Sequence, residues 1–326
     1  MQSNILYDKF NSIVNKKFVI FVMGPTASGK SALAMHLRKY LPVELISVDS
    51  ALIYKHMDIG TAKPSSIELS KHPHRLINVV DPGEWYSVSN FRRDVLQSIQ
   101  EIFYMNKIPL LVGGTMLYYH ILLNGISALP KADLKLRRKF LYCKVLGDKN
   151  FLHKYLSIID SDAAKIIHPN DIHRIIRALE VYFITGQKMS ILKKKTSNVF
   201  PYDVIQFAVI PDKLCLYNKI KYRFYNMLHQ GLEFEVRKLF YRGDLNIESP
   251  AIRCIGYRHM WLYLLHEISY NQMIHDAIIA TRKFAKKQMT WLKRWPNVHI
   301  LCDKKLNLLT EKILYLVYRR YLYTLV

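Results

Sequence analysis

The sequence predicts an α/β fold in which helices cover both faces of a parallel sheet. Short apolar runs recur along the chain, and segments with helical periodicity separate most of them. Half of the 326 residues are hydrophobic, which is enough to bury a large core. Six runs are interpreted as buried strands: Phe18–Met23, Val43–Val48, Leu76–Val80, Pro109–Val112, Val204–Ile210 and Val298–Leu301.

The region between the fourth and fifth predicted strands is different, because it has helical periodicity and no convincing strand. We therefore expect an all-helical insertion domain at residues 125–198. The α/β core would then consist of residues 1–124 and 199–326. The predicted helices of the insertion are Asp133–Leu146, Asn150–Ile159 and Asp171–Thr185, the last of which would stop at Gly186.

Two long helices are expected after the fifth strand. Leu216–Phe240 repeats apolar residues at helical spacing, and Asn271–Trp295 is apolar on one side and basic on the other. The aromatic segment Ile313–Val326 is interrupted by Arg319 and Arg320, so we expect a docked helix there. No apolar run approaches the roughly 20 residues that span a bilayer, and no membrane contact is expected.

The strongest motif matches the pattern G-x-x-x-x-G-K-[ST] and consists of Gly24, Pro25, Thr26, Ala27, Ser28, Gly29, Lys30 and Ser31. It follows an apolar strand and opens a helix near Ser31, which is the context of a phosphate-binding loop. Glycines let successive N–H groups point at one anion, and the helix N-terminus adds its dipole. Lys30 would reach the phosphate oxygens, and the Ser31 hydroxyl would ligate Mg²⁺. The fold class is therefore a P-loop NTPase-like parallel sheet with flanking helices and an all-helical insertion domain.

Two further polar residues follow predicted strands. Asp49 stands at the carboxyl end of the second strand, the edge at which open parallel sheets bind ligands. It could act as a general base, or equally as a helix cap or an indirect Mg²⁺ contact. Thr115 follows Gly113 and Gly114 at the end of the fourth strand and would face the same crevice. Alone, this second signal is weak.

Charge and cysteine usage narrow the class of partner. The chain has 48 Lys and Arg against 25 Asp and Glu, a net charge of +23, which makes nucleic acid the leading candidate partner. Compositional drift in an AT-rich coding sequence would explain much of the excess equally well. The four cysteines are scattered singly, so neither a zinc knuckle nor a disulfide framework is expected. Reduced thiols fit a cytoplasmic protein, and residues 1–17 do not resemble a signal peptide.

Taken together, these segments resemble the tRNA dimethylallyltransferases, which are adenosine isopentenyltransferases. The resemblance runs in order through nearly the whole chain. Beside the phosphate-binding loop it is carried by Ile46–Pro64 (ISVDSALIYKHMDIGTAKP), His74–Ile77 with Asp81-Pro82, Tyr86–Asp94 (YSVSNFRRD), Leu111–Tyr118 (LVGGTMLY), His168–Glu180 (HPNDIHRIIRALE), Ile252–Arg258 (IRCIGYR) and Ala280–Trp295 (ATRKFAKKQMTWLKRW).

The resemblance implies transfer of a dimethylallyl group from its diphosphate to N6 of adenosine 37, in tRNAs that read codons beginning with U. Asp49 would take the proton from the attacking amine, and Thr115 would lie at the reaction centre. Lys30 and Ser31, with Mg²⁺, would stabilise the departing pyrophosphate. The expected partners are the anticodon arm of tRNA and dimethylallyl diphosphate, and the expected protein is a cytoplasmic monomer of the bacterial form.

The resemblance also implies which residues contact tRNA. They are Asp49, Ser50, Ala51, Leu52, Thr115, Arg137, His173, Arg174, Ile175, Ile176, Arg177, Arg253, Cys254, Ile255, Gly256, Tyr257, Arg258, Lys286, Lys287, Gln288, Met289, Thr290, Trp291, Leu292 and Lys293. Phosphate contacts of this kind position RNA, and base contacts select it. The chain departs from the family at His173, where Gln is common, and at His56, where Gly is usual.

Two other classes of function remain to be weighed. A small-molecule or nucleoside kinase would share the phosphate-binding loop and the sheet, and a helical insertion could imitate its lid. A kinase has no need of the long basic helix near the C-terminus, however. An RNA-binding protein with a vestigial loop is disfavoured because the Lys30-Ser31 pair, Asp49 and Thr115 are all intact.

Overall fold

The computed structural model describes residues 16–127, 129–146, 150–194, 196–197, 199–303 and 305–321. These residues fall into two compact units, one formed by the chain up to Tyr119 together with the chain from Tyr202 onward, and the other by His120–Pro201. The expectations for residues 1–15 and 322–326, and for positions 128, 147–149, 195 and 198 of the predicted insertion, lie outside the described residues.

Strands and helices alternate along most of the chain. The strands are β1 (Phe18–Met23), β2 (Val43–Val48), β3 (His74–Arg75), β4 (Ile108–Gly113), β5 (Ile126–Ser127), β6 (Thr196–Ser197), β7 (Asp203–Val209) and β8 (His299–Leu301). The helices are α1 (Lys30–Leu37), α2 (Ser66–Lys71), α3 (Val88–Tyr104), α4 (Met116–Asn124), α5 (Leu134–Leu146), α6 (Phe151–Ile159), α7 (Ser161–Ile166), α8 (Ile172–Thr185), α9 (Met189–Lys194), α10 (Lys213–His229), α11 (Leu232–Phe240), α12 (Ile255–Leu264), α13 (Tyr270–Lys293) and α14 (Leu306–Tyr321).

A six-stranded parallel sheet in the order β3-β2-β4-β1-β7-β8 forms the centre of the first unit. Ile20 of β1 pairs with Leu110 on one side and Ile205 on the other, and all six side chains of β1 are buried. Buried apolar strands of this kind are typical of sheets covered on both faces. Because the strands are parallel, their carboxyl ends meet at one edge, where the predicted ligand site lies.

The predicted C-terminal helix is confirmed for the described residues. In α14, Leu309, Ile313 and Val317 are buried in the same apolar cluster as α1 and the sheet. The Tyr321 ring stacks on Phe18 of β1 with centroids 3.7 Å apart. The helix therefore packs on the sheet, and no helix among the residues that the structure describes has both the length and the apolar composition to cross a membrane.

The predicted strand Leu76–Val80 is wrong. Leu76 and Asn78 have φ values of 61° and 57°, which an extended strand cannot contain. The ladder with β2 instead forms at His74–Arg75, just before this segment. Only Val80 makes an isolated bridge, to Tyr54.

The predicted helix Leu216–Phe240 is two helices, α10 and α11. Gly231 separates them with φ 95° and caps α11 in the left-handed conformation. Apolar spacing continues across the break, which is why the periodicity did not reveal it. The long basic helix is confirmed as α13, and β1, β2, β4, β7 and β8 match their predicted runs to within one residue at each end.

The second unit is mostly helical, and α5, α6 and α8 match the predicted helices. Gly186 ends α8 in the left-handed conformation with φ 68°, as expected for a stop residue. The expectation that this region contains no strand needs a correction, because β5 and β6 form a two-residue antiparallel ladder. Strands this short carry no periodicity that the sequence could have shown.

Candidate active site

The phosphate-binding motif forms a tight turn between β1 and α1. Ala27 and Gly29 have φ values of 62° and 92°, which direct the chain sharply into the helix that begins at Lys30. Gly29 is the N-terminal cap and has no side chain to satisfy the N–H groups of the first turn. A helix start of this kind favours an anion through those N–H groups and the helix dipole.

Lys30 is a partly buried cation in this loop. Its Nζ donates to the carbonyl oxygen of Pro25 at 3.2 Å. Burial lowers the pKa of Lys30 to about 8, with Asp49 raising it and Arg223 lowering it further. A bound polyanion would favour the charged form, so the site is electrostatically suited to a diphosphate.

Two hydrogen bonds connect the carboxyl ends of β2 and β4 beside this loop. The backbone N–H of Ser50 donates to Thr115 Oγ1 at 3.1 Å, and the N–H of Thr115 donates to the carbonyl of Val48 at 3.2 Å. Asp49 is held by a further hydrogen bond, in which its Oδ1 accepts from the N–H of Ala51 at 2.9 Å. The two residues predicted from separate strands therefore lie at one edge of the sheet, held in fixed orientation.

Gln288 of α13 reaches into the same region. Its side-chain oxygen accepts from the backbone N–H of Thr26 at 2.9 Å, and its amide nitrogen donates to the carbonyl of Gly114 at 2.7 Å. The residue is buried, with 6% of its surface exposed. The basic helix is thus hydrogen-bonded to the phosphate-binding loop and to the turn that carries Thr115. Gln288 was expected only as a tRNA contact.

Arg223 of α10 is a site residue that sequence reasoning missed. Its guanidinium donates to Thr26 Oγ1 and to the carbonyl of Thr61, each at 3.4 Å. Burial lowers its pKa while the Asp49 carboxylate opposes that shift. One signal could have found it, since Arg223 stands three residues after Ile220 and therefore lies near the buried face of its helix.

These groups line one cavity of about 510 Å³, a size typical of small-molecule sites. Its polar lining includes Thr26, Lys30, Asp49, Thr115, Arg223 and Gln288. Its apolar and aromatic lining includes Tyr54, Tyr86, Tyr118, Phe224, Met227 and Phe284. The cavity can therefore hold a ligand with both an anionic part and an apolar part.

Two other ionisable groups of the wall stay neutral at physiological pH. Burial raises the pKa of Tyr54 to about 12, with a smaller contribution from Cys254. Burial and the nearby Asp49 likewise raise the pKa of the Cys254 thiol to about 12. The charged side chains of the cavity lining are therefore Lys30, Asp49, Arg223 and Arg253, whereas the Tyr54 phenol and the Cys254 thiol contribute uncharged wall.

The structure places the predicted tRNA contacts of the first unit in four different settings. Several line the cavity: Asp49, Ser50, Ala51, Thr115, Arg253, Cys254, Ile255, Gly256 and Gln288. Others are exposed on α13, namely Lys286, Lys287, Thr290, Trp291 and Lys293. Tyr257 and Leu292 are fully buried, while Leu52, Arg258 and Met289 are partly buried outside the cavity lining. Tyr257 and Leu292 could only position their neighbours.

In the second unit, a buried carboxylate organises the predicted arginines. Glu180, with no exposed surface, accepts two hydrogen bonds from Arg137 at 2.8 and 2.9 Å and another from Arg177. Burial alone would raise the pKa of Glu180, but these bonds and the N–H of Asp133 outweigh it and lower the pKa. His173 and Arg174 are exposed, whereas Ile175 and Ile176 are core residues.

The comparisons with known proteins point in one direction. A family model described as "IPP transferase" matches residues 52–295. A relative named tRNA dimethylallyltransferase, from Buchnera aphidicola subsp. Acyrthosiphon pisum (strain APS), is 52% identical over 306 residues, which cover 93% of this chain and 96% of the relative. The family match begins after the phosphate-binding loop and Asp49, so for those residues the motif and the geometry carry the interpretation.

Solved structures are similar as well. The tRNA isopentenylpyrophosphate transferase of Bacillus halodurans has a TM-score of 0.68 and 32% identity, and the similarity covers 94% of this chain and 98% of that one. The corresponding enzyme of Staphylococcus epidermidis has a TM-score of 0.67 and 32% identity, covering 93% and 99%. A eukaryotic dimethylallyltransferase acting on tRNA has a TM-score of 0.73 and 27% identity, covering 89% and 74%.

Proposed function

Because the chain belongs to the IPP transferase family, we propose that it is a tRNA dimethylallyltransferase. The reaction displaces pyrophosphate from dimethylallyl diphosphate, and the new bond joins the allylic carbon to N6 of adenosine 37 in tRNAs that read codons beginning with U. The proton lost by N6 passes to the enzyme. One observation carries the proposal: an anion-binding loop with its lysine and a carboxylate at a strand end border one cavity with apolar walls.

Departure of the pyrophosphate is the demanding step, because an aromatic amine is a weak nucleophile. Lys30, Arg223 and the N–H groups at the start of α1 would stabilise the charge that develops on the leaving oxygens. Fixed donors in a desolvated site are usually the largest single contribution to catalysis. The aromatic wall would hold the dimethylallyl group and keep water away from the reacting carbon.

Asp49 is proposed as the general base for the N6 proton. Its carboxylate lines the cavity and is oriented through the N–H of Ala51, and the neighbouring Thr115 hydroxyl would contact the target nucleotide. General base assistance of this kind contributes about 10²–10⁴-fold. The adenine must leave the anticodon stack to reach the site, which costs a few kcal/mol.

Mg²⁺ is the proposed metal, and the Ser31 hydroxyl would hold it beside the diphosphate. Ser31 is exposed in the first turn of α1, next to Lys30. Within the described part of the chain no three His, Cys, Asp or Glu side chains gather as a metal cage, which agrees with a cation bound mainly through substrate phosphates and water. When bound, the cation supplies positive charge to the leaving group.

Contact with the anticodon arm is proposed for the exposed basic residues of α13 and for the predicted residues of the second unit. Lys286, Lys287 and Lys293 are exposed on the helix that also carries Gln288. Arg174 is exposed on α8, and Arg137 and Arg177 are about 30% exposed beside Glu180. We further propose a monomer that acts in the cytoplasm.

A kinase is not favoured, because the similar proteins are named as tRNA dimethylallyltransferases or tRNA isopentenylpyrophosphate transferases. The experiment that separates the two supplies the protein with Mg²⁺ and an unmodified tRNA bearing adenosine 37. One arm contains radiolabelled dimethylallyl diphosphate and the other contains γ-labelled ATP. Label from the prenyl diphosphate in RNA is the expected result. Consumption of ATP without prenyl transfer would contradict the proposal and favour the kinase.

A further inference from the structure

The segment between Tyr54 and Lys63 is a loop whose backbone is held by one carboxylate. Glu235 of α11 accepts hydrogen bonds from three consecutive backbone N–H groups: Oε2 from Asp58 at 2.9 Å and Ile59 at 2.8 Å, and Oε1 from Gly60 at 3.0 Å. Oε1 also accepts from the Tyr257 hydroxyl. A carboxylate with four donors is strongly oriented, because bonds to a charged acceptor are stronger than neutral ones.

The loop packs closely against Tyr257 at Gly60, so its backbone can occupy only one position there. A methyl group built on Gly60 would lie 2.6 Å from a Tyr257 ring carbon and 2.8 Å from a Leu232 side-chain carbon. Tyr257 is fully buried, so its ring cannot move aside. The backbone at Gly60 is therefore seated directly on the ring whose hydroxyl binds Glu235.

The base of the loop has a separate anchor. Lys63, with 2% of its side chain exposed, donates to the carbonyl of Tyr54 at 2.8 Å and to side-chain oxygens of Asp58 and Asn78, each at 2.6 Å. These bonds do not involve Glu235. A change at Glu235 is therefore expected to shift residues 58–61 without unfolding the whole segment.

The loop reaches the active site through Thr61 and Arg223. Gly60 and Thr61 line the cavity, and the carbonyl of Thr61 accepts from Arg223 Nη2 at 3.4 Å. The other arm of the same guanidinium donates to Thr26 Oγ1 in the phosphate-binding loop. A continuous chain of contacts thus runs from Glu235 through residues 58–61 to a cation beside Lys30.

We propose that Glu235 is a positioning residue for diphosphate binding, which acts by fixing the loop that orients Arg223. The inference rests on the proposed function, since it assigns the diphosphate to the site of Lys30 and Arg223. Glu235 lies outside the cavity lining and touches no reacting atom. The proposal assigns residues 58–61 a role in binding the prenyl donor, whereas the sequence alone indicated no role for this loop.

The test compares Glu235→Gln with Glu233→Gln, the same chemical change two residues away on the same helix. Glu233 forms a partly exposed i,i+4 pair with Arg237 and is the matched control. In Glu235→Gln, the side-chain amide nitrogen would face either the N–H groups of residues 58 and 59 or the Gly60 N–H and the Tyr257 hydroxyl. One of these two pairs of donors would therefore lose its acceptor. We expect Kd for inorganic pyrophosphate with Mg²⁺, and KM for the prenyl donor, to rise about 10-fold. KM for tRNA should change less than about threefold.

A double-mutant cycle with Arg223→Met separates positioning from a general loss of stability. If Glu235 acts through Arg223, Glu235→Gln will have little further effect on pyrophosphate Kd once Arg223 is replaced. Tyr257→Phe, which removes one of the four hydrogen bonds, is expected to give a smaller rise, about threefold, and provides the same cycle should Glu235→Gln fail to fold.

Unchanged pyrophosphate Kd in folded Glu235→Gln, or additive effects in the cycle, would overturn the proposal. Pyrophosphate binding does not depend on prenyl transfer. Glu235-dependent binding by a protein that transfers no dimethylallyl group would therefore overturn the proposed function and leave this inference standing.

Discussion

Gln288 accepts a hydrogen bond from the backbone N–H of Thr26 at 2.9 Å, which ties the basic helix α13 to the phosphate-binding loop. Its amide nitrogen donates to Gly114 at 2.7 Å, so the same side chain also holds the turn that leads to Thr115. The carbonyl oxygen and the nitrogen of the Gln288 side-chain amide are therefore both hydrogen-bonded, and the residue is buried. The helix that presents Lys286 and Lys287 to solvent is therefore part of the frame of the diphosphate site.

Replacing Gln288 by Met should disturb that frame. The change keeps the length of the side chain but leaves the Thr26 N–H and the Gly114 carbonyl without this partner. The free energy of unfolding should fall by about 2 kcal/mol, and KM for the prenyl donor should rise about 10-fold. Chemical denaturation and steady-state kinetics measure the two effects. Gln272→Met, at an exposed position of the same helix, should change neither. A stable variant with an unchanged donor KM would refute the positioning role.

The pH dependence of pyrophosphate binding should report Lys30. Its pKa in the free protein is lowered to about 8, chiefly by burial. A bound anion favours the charged form, so affinity is highest below pH 8 and falls as the pH rises through 8. An ordinary lysine would lose its charge near pH 10.4 instead.

The measurement is the ratio of pyrophosphate affinities of the wild type and Lys30→Arg between pH 6.5 and 9.5, a range of about 1.5 units on either side of that pKa. Taking the ratio removes the titration of pyrophosphate itself. Arginine stays charged throughout, so the ratio should fall above pH 8, by at most about 30-fold at pH 9.5. A ratio that stays constant over this range would contradict a depressed pKa.

Lys286→Ala and Lys287→Ala should weaken tRNA binding in a salt-dependent manner. Each lysine that contacts a phosphate contributes roughly one counterion, so each substitution should reduce the slope of log K against log salt by about 1. Filter binding or fluorescence titration at several salt concentrations measures that slope. Lys312→Ala, at another exposed lysine on α14, is the control and should leave the slope unchanged. If the slopes of Lys286→Ala and Lys287→Ala are the same as those of Lys312→Ala and the wild type, the proposed contact between α13 and RNA is contradicted.

Much of the frame could be predicted because its determinants are local. A six-residue apolar run such as Phe18–Met23 specifies a buried strand, and the glycines and Lys30 of the motif specify the turn that follows it. Asp49 and Thr115 could be placed at one sheet edge because they follow parallel strands. In each of these cases, a short stretch of chain contains the whole signal.

The missed features depend on contacts between distant segments. Arg223 lies in no motif, and only tertiary packing brings it 3.4 Å from Thr26. Gln288 is 262 residues from its partner in the loop, so its role in holding Thr26 could not be predicted from spacing. The break at Gly231 was hidden because apolar spacing continues on both sides of it.

Asp49→Asn should separate chemistry from binding. The amide is isosteric but cannot take the proton from N6, so kcat should fall about 10²–10⁴-fold while pyrophosphate Kd stays within about threefold. Single-turnover transfer measures the chemical step, and calorimetry with pyrophosphate measures binding. Loss of both in parallel would indicate that Asp49 serves only to organise the site.

The most direct test locates the transferred group. Wild-type protein and Asp49→Ala are incubated with Mg²⁺, radiolabelled dimethylallyl diphosphate and an unmodified tRNA, and the RNA is then digested and mapped. Label is expected on N6 of adenosine 37 with the wild type, with a large loss of label in Asp49→Ala and none in a tRNA with guanosine at position 37. Label at another nucleotide would contradict transfer to adenosine 37, and equal label with both proteins would contradict the role of Asp49 as general base.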